Sequence, residues 1–318
     1  MALVHVDTDI GGDTDDLCAI AMLLGWPGVE LAGVTTSSDE GGMRAGLASY
    51  ALRLAGRGDV PVAAGAEGSL GGFRVSPGFP DLSRHWPEPI KPEPSLPGAA
   101  LDLLTENAQA GATIVAIGPW TNLALLEAAR PSLLASTHLV VMGGYVRPPR
   151  PGLVPWGPDM DYNVQQDAVA AKVVWERCAP TLVQLSACLE VRLRGAHLAR
   201  LRGGGELARL VAHQGELHGT EEDMRRMGRE HPELPDDLLN FHYDPLACAV
   251  ASGWDGARVE ELELVACTEE DVLTFREELG GRRTHVVTEV EGSRFEEEWL
   301  MAVASVGGVL NPKARCAD

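Results

Sequence analysis

The sequence is poor in basic and aromatic residues. It has 26 lysine and arginine residues against 46 aspartate and glutamate residues, which gives a formal net charge of −20, and its aromatic content is 5%. An excess of negative charge repels both phosphate backbones and anionic lipid surfaces. We therefore expect neither a nucleic acid nor a membrane surface as a partner.

Long apolar segments are also lacking. No stretch is apolar for long enough to span a bilayer, and the first residues run from Met1 to Asp7 without a basic stretch followed by an apolar one. These absences are typical of an enzyme without a secretion signal. We therefore expect a cytoplasmic location.

The cysteines do not form the close pairs that zinc sites use. None of them is part of a C-x-x-C motif, and most lie within apolar patterns. They are Cys18, Cys178, Cys188, Cys248, Cys267 and Cys316. We expect reduced thiols in the core and no zinc site.

What the chain does contain is an alternation of short runs rich in valine and isoleucine with longer helical patterns. Such alternation predicts an α/β fold with a mostly parallel central β-sheet flanked by helices on both faces, here as a single domain over residues 1–318. Strands are predicted at Leu3–Val6, Leu31–Thr36, Val60–Ala64, Thr113–Ile117, His138–Met142, Thr181–Leu185, Glu261–Ala266 and His285–Val290. A helix is predicted over Asp15–Leu24, and two segments, Gly65–Pro97 and Gly219–Asp237, are predicted to be irregular.

Five carboxylates follow the first predicted strand, in the run Asp7-Thr8-Asp9-Ile10-Gly11-Gly12-Asp13-Thr14-Asp15-Asp16. A helix N-terminus stabilises an anion by only ~0.3–1 kcal/mol at a surface, which is too little for five charges. Calcium accepts about 6–8 oxygen ligands in a flexible arrangement, and glycines let the backbone approach a ligand closely. The run therefore predicts a site for a divalent cation, calcium or magnesium, with calcium favoured; the alternative is that Asp13 or Asp15 only caps the helix.

With six further segments, this run resembles the inosine-uridine-preferring nucleoside hydrolase family. The segments are Gly33-Val34-Thr35-Thr36, Asp59-Val60-Pro61-Val62-Ala63-Ala64-Gly65, Gly118-Pro119-Trp120-Thr121-Asn122-Leu123-Ala124, Met142-Gly143-Gly144, Asp161-Tyr162-Asn163 and Asp244-Pro245-Leu246-Ala247. The resemblance implies a Rossmann-like nucleoside hydrolase fold, calcium-dependent hydrolysis of the N-glycosidic bond of ribonucleosides, and a homodimer or homotetramer.

The same resemblance implies a metal site. Asp9, Asp16, Asp244 and the backbone carbonyl of Thr121 would bind the metal, and Asp9 would also accept a proton from the attacking water. For Asp244, which precedes Pro245, a plain helix cap is the alternative.

The resemblance also implies ribose contacts. Asp15 and Asn163 would bind ribose hydroxyls, and Asp161 stands where the family has a glutamate that contacts the 5′-hydroxyl. Because the aspartate run is two residues longer than the common version, Asp13 is the alternative to Asp15, and a simple turn is the alternative for Asp161 and Asn163. Three further residues are expected to contact and position the residues that bind the metal and the ribose: Asp7, Asp13 and Asn122.

The resemblance defines less well which residues bind the base and which one protonates it. The family has a histidine directly before the last metal aspartate, but here Tyr243 stands there and His242 comes one residue earlier. Both are candidates to protonate the leaving base. Trp156, and also Trp120, are candidates to stack on the base, with ordinary packing as the alternative.

Two other functions stay open at this point. A member that binds ribosides without cleaving them would explain the missing histidine. A phosphatase of the haloacid-dehalogenase type is suggested by Asp7-Thr8-Asp9 after a strand, although its later motifs are not evident. The sequence does not choose between purine and pyrimidine ribosides.

Overall fold

The structure is a computed structural model that describes residues 1–71 and 78–307. Within these residues, the strands are β1 (Ala2–Thr8), β2 (Val29–Thr36), β3 (Val62–Ala64), β4 (Thr113–Ala116), β5 (Leu139–Met142), β6 (Thr181–Val183), β7 (Arg192–Arg194), β8 (Leu238–Phe241), β9 (Ala257–Glu269), β10 (Val272–Glu277) and β11 (Arg282–Val290).

The α-helices of the described residues are α1 (Asp15–Gly25), α2 (Met43–Leu54), α3 (Leu82–His85), α4 (Ala99–Gln109), α5 (Thr121–Ala129), α6 (Tyr162–Gln166), α7 (Ala168–Cys178), α8 (Leu185–Cys188), α9 (Leu198–Arg202), α10 (Glu206–Glu221), α11 (Met224–Glu230), α12 (Tyr243–Ala251) and α13 (Gly292–Ser305). Short 3₁₀ turns occur at Glu40–Gly42, Leu134–Ser136, Pro158–Met160 and Gly195–His197.

Nine strands form one sheet in the order β10-β9-β11-β6-β5-β4-β1-β2-β3. All neighbours from β11 to β3 pair in parallel, whereas β9 pairs antiparallel with both β10 and β11. Strands β7 and β8 form a separate antiparallel pair. The predicted mostly parallel sheet is therefore confirmed, while the antiparallel edge was not predicted.

Helices cover both faces of the large sheet. Helices α1, α2, α10, α12 and α13 pack in one hydrophobic cluster, and α4, α5 and α7 pack in the cluster on the other face. The buried residues of β4 alternate between the two clusters, with Val115 in the first and Ile114 in the second. This alternation is what a strand covered on both faces requires.

Strands β7, β8 and β10 were not predicted, and two predicted segments differ from the structure. The predicted strand Thr181–Leu185 ends at Val183, because Leu185 begins α8. The segment Gly219–Asp237 contains the end of α10 and all of α11 instead of being irregular. Met224 explains the helix, since it is buried in a cluster with Leu238 while the charged residues of α11 face solvent.

The segment Gly65–Pro97 is mostly irregular in its described part, where α3 is its one helix. The free cysteines of the described residues are buried except for the half-buried Cys267, and Cys316 lies outside the described residues. No helix of the described residues is long and apolar enough to cross a membrane.

The strand order determines where a ligand can bind. From β1 the chain builds β2 and β3 on one side and then crosses to β4 on the other side of β1. A crevice forms outside the carboxyl ends of parallel strands at such a switch point, and ligands of open α/β sheets bind there. The residues after β1 and β4 are therefore the first place to look for a site.

Candidate active site

A cavity of about 360 Å³ lies at this switch point. Five of the lining residues are aspartates, which we call the aspartate cluster: Asp9, Asp13, Asp15, Asp16 and Asp244. The rest of the described lining includes one cation, Arg44, and the side chains of Tyr162 and Asn163. The acidic run that follows β1 thus lies where the topology predicts a ligand.

Helix α1 presents two members of the cluster in its first turn. Asp15 and Asp16 begin the helix, and the Asp15 backbone N–H donates to Asp13 Oδ1 at 2.8 Å. The Thr8 hydroxyl at the end of β1 donates to Asp16 Oδ1. Both carboxylates are therefore held at a helix N-terminus, where exposed N–H groups favour anions.

Asp244 reaches the cluster from the other end of the chain. It lies in the first turn of α12, followed by Pro245, and α12 packs against α1. Ligand oxygens of Asp15, Asp16 and Asp244 all lie within 4.8 Å of one another. Three buried carboxylates thus converge from two helix N-termini.

The cluster is electrostatically strained without a cation. Burial, followed by repulsion from neighbouring aspartates, raises the pKa of Asp15, Asp16 and Asp244 well above the usual range. Burial also raises the pKa of Asp9 to about 6, although the Arg44 guanidinium opposes that shift. The ionised cluster therefore needs a positive charge to be stable.

A divalent cation fits this set of donors. Oxygen-only ligands with excess negative charge suit calcium or magnesium, and their chemistry alone does not separate the two. Asp9 lines the same cavity, and its charge acts on both Asp16 and Asp244. Thr121 is outside the described lining, and its hydroxyl donates to Asp167 Oδ2 at 2.8 Å, so its role as a ligand stays a prediction.

Two glycines allow the backbone to pack around the cluster. Gly11 has a φ of +111°, and a Cβ there would lie 2.5 Å from Leu47 Cδ1. A Cβ at Gly118 would lie 2.8 Å from the Asp9 backbone nitrogen. By contrast, a Cβ at Gly12 would meet nothing within 4 Å. Gly11 is therefore required mainly by its backbone conformation and Gly118 by its closeness to the Asp9 backbone, whereas a side chain at Gly12 would enter open space.

Asp7 and Asn122 form a buried layer behind the cavity. Asp7 Oδ1 accepts hydrogen bonds from the Thr35 hydroxyl at 2.5 Å and from Asn122 Nδ2 at 2.7 Å. Burial is the main reason that the pKa of Asp7 is raised to about 7. The Asn122 amide also donates to the Thr36 carbonyl at 2.8 Å, which links the ends of β1 and β2 to the start of α5.

Two rings form one side of the cavity, which we call the aromatic wall: Trp156 and Tyr243. Their ring centroids are 6.4 Å apart at an interplanar angle of 27°. Phe241 packs edge-on behind Trp156 at 5.5 Å. Trp120 does not belong to this wall, because it is fully buried and its indole donates to the Met142 carbonyl.

Comparison with known proteins assigns the family. The family model described as inosine-uridine preferring nucleoside hydrolase matches residues 4–297. The chain belongs to this nucleoside hydrolase family. Its members are glycosidases that hydrolyse ribonucleosides, so the resemblance noted in the sequence is confirmed and a haloacid-dehalogenase-type phosphatase has no support.

Curated relatives and solved structures agree with the assignment. The chain is 30% identical over 224 residues to the pyrimidine-specific ribonucleoside hydrolase of Salmonella paratyphi A (strain ATCC 9150 / SARB42), covering 67% of this chain and 70% of the relative. The fold is similar to that of a plant nucleoside hydrolase (TM-score 0.75, 20% identity, 95% and 99% of the two chains). It is also similar to that of the purine-preferring ribonucleoside hydrolase from Gardnerella vaginalis (TM-score 0.75, 19% identity, 95% and 98%).

In this nucleoside hydrolase, Asp161 and Asn163 have different surroundings. Asp161 is fully buried outside the described lining, and its carboxylate accepts from the backbone N–H groups of Gly144 at 2.6 Å and Val164 at 3.4 Å. Asn163 lines the cavity and donates to the Ile117 carbonyl at 3.0 Å. The geometry therefore favours a structural cap for Asp161 and leaves Asn163 beside the substrate space.

The structure separates the two candidates for the proton donor. Tyr243 lines the cavity, whereas His242 is fully buried with its ring centroid 4.1 Å from that of Trp299. Neither ring nitrogen of His242 has a hydrogen-bond partner among the described residues, and burial lowers its pKa well below the usual value. All nine histidines lie in the described part of the chain, and none is among the residues lining the cavity.

Arg44 is the charged residue of the described lining that was not predicted from the sequence. Its guanidinium donates to the backbone carbonyls of Asp9, Ile10 (3.0 Å) and Ser38 (2.9 Å), which fastens the acidic loop to α2. A signal was present, because Arg44 shares a face of α2 with the buried Leu47 at a spacing of three residues. A charged residue on an apolar helix face indicates a buried partner.

Proposed function

We propose that this nucleoside hydrolase cleaves ribonucleosides to ribose and free base with a calcium ion held by the aspartate cluster. The observation that carries the proposal is the convergence of Asp15, Asp16 and Asp244, whose ligand oxygens lie within 4.8 Å of one another although all three are buried. Burying like charges together is costly unless a cation is bound. The nucleoside hydrolase family supplies the reaction class.

Asp9, Asp16 and Asp244 would hold the cation, with the Thr121 carbonyl as the further ligand that the family resemblance implies. Asp15 lies close enough to share in ligation or to bind a ribose hydroxyl. When bound, the cation supplies Lewis-acid polarisation of the attacking water.

The chain's own residues would supply the remaining steps. Asp9 would accept the proton of the attacking water. Two contacts hold Asp9 in place: the Gln166 amide donates to Asp9 Oδ2 at 3.5 Å, and the Arg44 guanidinium donates to the Asp9 backbone carbonyl. Asp15 and Asn163 would bind the ribose hydroxyls. Carboxylates beside the sugar would stabilise the positive charge that develops at C1′.

The aromatic wall would bind the base. Trp156 offers a ring face to any base, because stacking requires only a π-system. The Tyr243 hydroxyl is the donor that this wall offers for a leaving base, and Tyr162 is a second phenol in the described lining. Since a curated relative is named pyrimidine-specific and one structural neighbour is named purine-preferring, both classes of substrate need testing.

The decisive test is reducing-sugar release from a panel of purine and pyrimidine ribonucleosides, with calcium, with magnesium and with a chelator. We expect release that needs a divalent cation, is best supported by calcium, and is lost in Asp9→Ala. Ribose release that persists with a chelator or in Asp9→Ala would contradict the proposed roles of the metal and of Asp9.

A riboside-binding protein without turnover is the second candidate, favoured by the absence of histidine from the described lining. Calorimetric binding of ribosides without sugar release would establish it. A homodimer or homotetramer and a cytoplasmic location stay predictions, which sedimentation and cell fractionation would test.

A further inference from the structure

The described lining of the cavity has an excess of negative charge that a bound divalent cation would not fully neutralise. Five aspartates and a single cation, Arg44, are found among the described lining residues. If all of these groups are ionised, a divalent cation neutralises only half of the remaining excess. A pocket of this kind attracts a positively charged substrate and disfavours an anionic one.

Asp13 places part of this charge beside the aromatic wall. Asp13 lines the cavity together with Trp156 and Tyr243. Its Oδ1 is fixed by the backbone N–H of Asp15 at 2.8 Å and by Asn240 Nδ2 at 3.4 Å. An aromatic face attracts a cation within about 6 Å of the ring centroid, so the wall and Asp13 favour the same kind of base.

The cavity is also poorly equipped to protonate a neutral leaving base. No histidine, lysine or cysteine is among its described lining residues, which instead offer the phenols of Tyr243, on the aromatic wall, and of Tyr162. An ordinary phenol has a pKa of about 10, so it is a weak acid at neutral pH. A base that already carries a positive charge leaves as a neutral molecule and needs no acid.

We propose that the preferred substrates are ribosides whose base is cationic in the ring that carries the glycosidic bond, such as pyridinium ribosides and N7-alkylated purine ribosides. This inference rests on the proposed hydrolase function. In the reaction, the water oxygen bonds to C1′, and the C1′–N bond breaks with its electron pair moving to the ring nitrogen. The base leaves neutral, while the proton of the water passes to Asp9 and then to solvent.

The test compares guanosine with 7-methylguanosine at pH 6 in the calcium-loaded enzyme, with nicotinamide riboside as a second cationic probe. Each kcat/KM is divided by the rate of hydrolysis without enzyme, which removes the greater intrinsic reactivity of cationic ribosides. We expect a remaining preference for the cationic member of about tenfold, the size that a cation–π contact supports.

Three variants separate charge recognition and base protonation from structural damage. Asp13→Asn should lower the preference for 7-methylguanosine severalfold, and Asp13→Glu should restore it. Tyr243→Phe should slow guanosine hydrolysis more than 7-methylguanosine hydrolysis. If Asp13→Asn slows both substrates equally, Asp13 does not recognise the charge and the inference is overturned.

The outcomes for the inference and for the proposed function are distinct. Efficient cleavage of guanosine or uridine with no corrected preference for cationic ribosides overturns the inference and leaves the hydrolase intact. Absence of sugar release from both neutral and cationic ribosides overturns both. A corrected preference that disappears in Asp13→Asn supports both.

Discussion

The aspartate cluster and the aromatic wall face the same cavity but are built differently. Four of the five clustered carboxylates lie between residues 9 and 16, they are mostly buried, and backbone and hydroxyl donors hold them. The wall joins Trp156 to Tyr243, two half-buried rings held mainly by contact with each other and with Phe241. The proposed metal and sugar end is thus positioned mostly by local sequence, whereas the proposed base end depends on packing between distant segments.

Removing a carboxylate from the cluster should have the largest effect. We expect Asp16→Asn and Asp244→Asn each to weaken calcium binding by at least about 100-fold, more than the loss of an outer partner usually costs, and to abolish turnover. The same changes should stabilise the metal-free protein, because they remove one of several crowded buried charges. Calorimetric titration and urea unfolding measure the two effects.

Asp59→Asn is the matched control for these variants. Asp59 is an exposed aspartate whose carboxylate pairs with Arg57 at 2.9 Å. Its substitution should change neither calcium binding nor turnover. Calcium binding that stays tight in Asp16→Asn or Asp244→Asn would refute the assignment of the metal site to this cluster.

The backbone beneath the cluster offers a comparison between neighbouring residues. Gly11→Ala forces a side chain onto a φ of +111° and against Leu47, so we expect it to cost about 2–4 kcal/mol of unfolding free energy from strain and overpacking. Gly12→Ala enters open space and should change stability by less than about 0.5 kcal/mol. Thermal unfolding of both variants measures this difference. Equal losses of stability in the two variants would contradict the prediction.

The aspartate cluster and the aromatic wall also differ in how far they could be predicted from the sequence. The acidic run predicted the cluster because its residues are adjacent in the chain and follow a strand whose carboxyl end lies at the sheet's switch point. Arg44 and the wall were harder to predict, since their positions depend on how α2, β8 and α12 pack. Nothing in the local pattern around His242 indicated that its ring packs against Trp299 instead of lining the cavity.

The strands show a similar limit on what could be predicted from the sequence. The parallel strands were predicted from short apolar runs buried on both faces, whereas β10 was missed. Its outward residues Arg276 and Glu277 are exposed at the sheet edge, and its two buried side chains, Leu273 and Phe275, are too few to make an apolar run. Edge strands buried on one face carry only half of the signal.

Truncating the aromatic wall should have a smaller effect than changing the cluster. Trp156→Ala removes a base-stacking face worth about 1–3 kcal/mol, so KM should rise about tenfold or more while calcium binding is unchanged. Trp156→Phe should recover most of the affinity. Trp254→Ala, at a distant half-buried tryptophan, should leave KM unchanged. An unaltered KM in Trp156→Ala would remove the wall from base recognition.

The smallest expected effect is a pH dependence of the unfolding free energy that comes from Asp161, two residues before Asn163. Burial raises the pKa of Asp161 to about 7, above its value in the unfolded chain, so protonation favours the folded state. This contribution to stability is complete below about pH 4 and is lost as the pH rises through 7. Between pH 6 and 8 the wild type should lose about 1 kcal/mol more unfolding free energy than Asp161→Asn. Urea unfolding in chelator at both pH values measures this difference, and parallel losses would contradict it.

The packing of α12 and α13 against α1 has a consequence for synthesis of the chain. The Trp299 indole in α13 donates to the Cys18 carbonyl in α1, and α12 brings Asp244 to the same helix. A growing polypeptide therefore carries its acidic loop for more than 200 residues before Asp244 has been added. Contacts of such wide sequence separation form late, so the cluster would be able to capture a metal only after α12 and α13 have been synthesised.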